Sequence, residues 1–96
     1  MKKKTIKTSF AKMMETCDRY GARHIHVYYC KNNRAMYASA ASEMDGIKYN
    51  IKTTPAHIKF ALDFAEDAEN FGYIVDRPKI EKIITFHSVQ DIIKNS

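Results

Sequence analysis

Ninety-six residues, 45% of them apolar and 28% charged, fit one compact domain and exclude a disordered, collagen-like or low-complexity chain. Sixteen Lys and Arg against eleven Asp and Glu leave a formal charge of +5, which favours anionic partners. No apolar run reaches the roughly 18–20 residues of a membrane span, no apolar segment follows Lys2–Lys4 to make a secretory signal, and two cysteines read as free thiols; the expected setting is the cytoplasm, with no membrane contact.

Residues 1–7 are a basic N-terminal arm, with Lys2, Lys3, Lys4 and Lys7 around Ile6, ahead of a single domain over 8–96. The arm is either a disordered tail or an edge strand. Thr8 and Ser9 offer capping oxygens, and Phe10, Met13, Met14, Cys17 and Tyr20 recur at helical spacing up to Gly21; a helix is predicted over 9–20.

The period then changes to two. Ile25, Val27 and Tyr29 alternate with His24, His26, Tyr28 and Cys30, and Asn32-Asn33 supplies a tight turn. Ala35–Ser42 is a second strand, Asp45-Gly46 a hairpin turn, and Ile47–Lys52 a third strand with Ile47, Tyr49 and Ile51 on one face. Thr54 and Pro55 read as the cap and first position of a second helix, whose stripe runs through Ile58, Ala61, Leu62, Phe64, Ala65, Ala68 and Phe71 to Gly72. Tyr73–Asp76 and Lys82–His87 read as short strands, and Ser88 with Asp91 opens a terminal helical turn.

The predicted fold class is α+β: helix, three-stranded antiparallel meander, helix (α-β-β-β-α), with C-terminal strands and a short terminal helix. Both helices would cover Ile25, Val27, Tyr29, Ile47, Tyr49 and Ile51. The other face is left to the C-terminal segment, to solvent or to a partner.

Charge is unevenly spread. Residues 1–62 carry a balance of +8 and residues 63–96 one of −3. The cations are Lys2, Lys3, Lys4 and Lys7 in the arm, Lys12 and Arg19 on helix one, Arg23, Lys31 and Arg34 around the first hairpin, Lys48 and Lys52 on strand three, and Lys59 early in helix two. A surface that neutralises several phosphates releases condensed counterions, the main source of non-specific nucleic-acid affinity. His24, His26 and Tyr28 share the polar sheet face with Lys48, Asn50 and Lys52, and Tyr37 is a further candidate there. Rings interleaved with cations stack on bases and hold phosphates. The competing reading packs these rings beneath Ile83, Ile84, Phe86, Ile92 and Ile93. Asp63, Glu66, Asp67 and Glu69 form an acidic face on helix two, either solubilising or a docking surface for a basic partner.

Catalytic signals are thin. His24-x-His26 lacks the ligand set of a zinc site, so no metal or cofactor is expected. A metal-independent ribonuclease would need two of His24, His26, His57 and His87 as acid and base, and no spacing singles out a pair.

The helix–meander–helix order over 9–71 resembles the double-stranded-RNA-binding domain. The family's basic cluster at the second helix would correspond to His57 and Lys59, while its loop signature before strand two is missing. The Lys-rich start and the run HIHVYY (24–29) resemble the small basic early proteins of T-even-type bacteriophages, and within them the inhibitors of the ToxN ribonuclease toxin. That resemblance implies an RNA-binding protein that also contacts a host toxin or defence protein and holds it inactive. The expectation is therefore a non-enzymatic, phage-encoded RNA-binding inhibitor of a toxin–antitoxin ribonuclease, acting in the host cytoplasm through Lys2, Lys3, Lys4, Lys7, Lys12, Arg19, Arg23, His24, His26, Tyr28, Lys31, Arg34, Lys48, Lys52 and Lys59. The alternatives are a protein-binding inhibitor without an RNA role and the small ribonuclease. An exposed strand edge leaves a homodimer open.

Overall fold

The computed structural model describes residues 2–77. Its elements are β1 (Lys2–Thr8), α1 (Phe10–Tyr20), β2 (His24–Cys30), β3 (Ala35–Met44), β4 (Ile47–Thr53), α2 (Ile58–Asn70) and β5 (Ile74–Asp76). The chain is α+β, but the predicted helix–meander–helix order is overturned: the order is β-α-β-β-β-α-β, with one five-stranded mixed sheet ordered β1-β4-β3-β2-β5. The strand and terminal helix expected beyond residue 80 lie outside the described residues.

The pairings give the sheet its character. β1 runs parallel to β4, and β5 parallel to β2, while β3 is antiparallel to both β2 and β4. Four strands therefore point the same way, and β3 alone runs against them. The basic segment forms β1, registered residue for residue on β4 from Lys2↔Ile47 to Thr8↔Thr53. Of the two readings of this arm the edge strand is the one realised; it needs no apolar pattern, because an edge strand is held by backbone hydrogen bonds that any residue can make.

Two crossovers explain the layering. β1–α1–β2 and β4–α2–β5 each join parallel strands and step the same way along the sheet. Parallel crossovers share one hand, so both helices land on the same face. Beneath them Phe10, Met13 and Cys17 of α1 and Ala61, Phe64, Ala65 and Ala68 of α2 bury against Ile25, Val27, Met36, Ala38 and Ile51. Met13, Ile25, Met36 and Ile51 are fully buried, each contributing about 1.5–3 kcal/mol. Phe10 joins the helices edge-on to Phe64, with centroids 5.2 Å apart.

Helix boundaries follow local chemistry. Both helices end in paired backbone bonds around a left-handed glycine: Gly21 N–H donates to Asp18 and Ala22 N–H to Cys17, and likewise Gly72 to Glu69 and Tyr73 to Ala68. The predicted start of helix two at Thr54-Pro55 is three residues early. Thr54 N–H is taken by Thr8 O, and Ala56 exchanges both backbone bonds with Met36, so this stretch stays extended and His57 becomes the N-cap. Phe71, placed in the buried stripe by periodicity, falls just past the helix and is 74% exposed. In the first hairpin the positive φ belongs to Arg34 rather than to Asn32 or Asn33, whereas Asp45 and Gly46 both adopt it as expected.

Candidate nucleic-acid interface

Alternation fixes what each strand shows on the face away from the helices. Registered partners share a face, so the open face carries Lys3, Thr5 and Lys7 from β1, Lys48, Asn50 and Lys52 from β4, Tyr37, Ser39, Ala41 and Glu43 from β3, His24, His26, Tyr28 and Cys30 from β2, and Ile74 and Asp76 from β5. No helix among the described residues covers it.

Three regions stand out. The first is a block of four lysines, in which Lys3 registers with Lys48 and Lys7 with Lys52. None of the four is in an ion pair among the described residues; Glu43 registers with Lys48 and marks the distal end of the block. The second is a row of rings. Tyr28 lies 5.7 Å from His26 and 5.7 Å from Tyr37, with planes 21° and 16° from parallel, and Asn33 Nδ2 donates to the Tyr37 hydroxyl at 2.6 Å. The third is a shallow groove of about 420 Å³ between them. Ser39 and Ala41 form its floor, because small side chains there leave a depression along β3. Asn50 and Lys52 wall one side and His24 and His26 the other, with His24 Nε2 held 2.6 Å from Asp76 Oδ2.

The structure thus brings Lys3, Lys7, Lys48, Lys52, His24, His26 and Tyr28 to one face and distributes the other expected residues elsewhere. Lys2 and Lys4 register with Ile47 and Tyr49, on the opposite side of β1. Lys31 and Arg34 lie in the β2–β3 turn. Lys12 and Lys59 are exposed on the helical layer. Arg19 sits 3.9 Å from Glu15, and Arg23 donates to Asp18 at 2.8 Å while its guanidinium lies over the Tyr73 ring. These two arginines are partly neutralised where they stand. His57 and Lys59, the counterparts of the duplex-RNA cluster, lie with α2 across the sheet from the lysine block.

The helical side has a polar knot of its own. Tyr73 Oη donates to Asp18 Oδ1 at 2.6 Å, and burial together with that bond pushes the phenol up to about 12. Burial, helped by the Asp18 charge, raises the neighbouring Cys17 thiol to about 11. Both groups stay protonated and inert at neutral pH. Among the described residues no cluster of three or more His, Cys, Asp or Glu is arranged to hold a metal ion, and no helix is long and apolar enough to cross a membrane.

Sequence reading missed Ser39, Ala41 and Asp76 as parts of this surface. Small residues and a lone carboxylate carry no motif, and only strand register puts them beside the histidines. Comparison with protein-family models, with curated proteins and with solved structures finds no match to this chain.

Proposed function

We propose that this chain is a non-enzymatic RNA-binding protein whose open sheet face is the contact surface. The carrying observation is the four-lysine block of β1 and β4 beside the stacked rings of His26, Tyr28 and Tyr37, on the face opposite α1 and α2. Lysines that have no carboxylate partner among the described residues are groups that displace counterions from phosphates, and the exposed His26 with the half-buried Tyr28 and Tyr37 adds ring surface for base contacts. The wider role consistent with a small basic RNA-binder of phage type is inhibition of a host toxin–antitoxin ribonuclease by holding it in an inactive complex in the host cytoplasm.

The test is a tagged pull-down from host cells, split into nuclease-treated and untreated halves, paired with a salt titration of RNA binding by purified protein. Expected are RNA in the untreated half, affinity that falls steeply with salt, and weaker binding with a flatter slope after Lys3, Lys7, Lys48 and Lys52 are replaced by Ala. Salt-independent binding, or indifference to those changes, removes the proposal. A single host protein retained after nuclease treatment, with no RNA bound by the purified chain, decides for the protein-binding inhibitor. Cleavage of RNA by purified protein, lost on changing one histidine, decides for a nuclease.

A further inference from the structure

We infer that the RNA this face takes is single-stranded, with one phosphodiester seated in the groove over Ser39 and Ala41 and a neighbouring base on the ring row; this rests on the RNA-binding reading above. One row of the sheet reads, strand by strand, Lys7, Lys52, Ser39, His26 and Asp76. The small central residue lets Lys52 and His26 reach the same anionic group from opposite sides. Asn50 supplies an amide on the Lys52 side, and on the other the Asp76 carboxylate is engaged by His24 at 2.6 Å. The next pair along the strands is Tyr28 with Tyr37, so a chain whose phosphate lies in the groove has its adjoining base beside a ring shelf already fixed by the Asn33–Tyr37 bond. Glu43 limits the track at the other end by repelling phosphate.

A duplex fits this arrangement poorly. Its bases are paired and stacked inward, so they cannot reach the Tyr28–Tyr37 rings. The lysine track from Lys3 to Lys7 is about 13 Å long at strand spacing, whereas readers of duplex shape span about 16 base pairs. A few splayed nucleotides match both its length and its rings.

The experiment measures fluorescence anisotropy with a labelled single-stranded oligouridine and a blunt RNA duplex of matched length. Expected is at least roughly tenfold preference for the single strand, and a loss of about 5- to 150-fold on Tyr28→Ala or Tyr37→Ala, the worth of one stacked base. Ser39→Leu, which fills the groove without changing charge, is expected to lower single-strand affinity as well. Ala41→Leu at the exposed end of the floor repeats that test, and the urea midpoint of each variant establishes that it is folded. Equal or tighter binding of the duplex overturns the inference, as does full affinity in the ring and groove variants. If those results come with a loss on Lys7→Ala and Lys52→Ala, the face still binds RNA and only the single-strand reading fails. Absence of binding to either probe removes both.

Discussion

The backbone N–H of Ala38 donates to the side-chain hydroxyl of Thr53 at 2.8 Å, a buried bond where the β3–β4 ladder gives out. Beyond Ser39↔Lys52 the ladder is not continued, and Met36 pairs instead with Ala56. Thr53 bridges that gap and so fixes the stretch of β3 that presents Tyr37 and Ser39 to the open face. Thr53→Val keeps the shape and removes the acceptor, leaving a buried N–H unpaired. The expected cost is about 1–3 kcal/mol of stability, read as a lower urea midpoint at unchanged slope, with most of it recovered in Thr53→Ser.

Position, rather than net charge, decides which lysines matter. Removing Lys7 and Lys52 and removing Lys12 and Lys59 change the protein's charge equally. Only the first pair lies on the open face. In a salt titration of single-stranded RNA binding, the Lys7→Ala/Lys52→Ala protein is expected to lose about 1.4 from the slope of log K against log salt, at about 0.7 per phosphate contact. The Lys12→Ala/Lys59→Ala protein is expected to keep the wild-type slope.

Alkali should loosen the helical side. The Cys17 thiol moves from 9.0 to about 11 on folding and the Tyr73 phenol from 10.0 to about 12. Each holds its proton more tightly in the folded state, so the stabilisation is complete below pH 9 and is lost as pH rises from about 9 to 12. Urea midpoints measured from pH 8 to pH 11 are expected to fall in the wild type. The Cys17→Ala/Tyr73→Phe protein, less stable at pH 8, should show a shallower fall; parallel curves would refute the assignment.

The two thiols should separate in reactivity. Cys17 is fully buried, while Cys30 is half-buried on the open face. Native protein at pH 8 is expected to take up one equivalent of maleimide, at Cys30, and a second only in denaturant. Prompt labelling of Cys17 under native conditions would contradict the packing beneath α1.

Periodicity made much of the local structure legible. The stripe from Phe10 to Cys17, the alternation from His24 to Tyr29 and the Asp45-Gly46 turn each become the element their pattern implies. The same alternation places His24, His26 and Tyr28 on one side of β2 and Lys48 and Lys52 on one side of β4. The start of α2 was misplaced because a tertiary partner, Met36, claimed the backbone of Ala56. Nothing in Thr54-Pro55 announces that competition.

Which side chains share a face of a strand is set by covalent geometry, a two-residue repeat written into the chain, and the sequence determined it. Which strands become neighbours was decided only by the tertiary structure. β1 joins β4 and β5 joins β2 through backbone groups common to every residue, so a lysine-rich segment can serve as an edge strand without an apolar pattern. The two like-handed crossovers then placed both helices on one side, and that gathers Lys3, Lys7, Lys48 and Lys52 beside the rings while carrying Lys12, Arg19, Arg23 and Lys59 away from them.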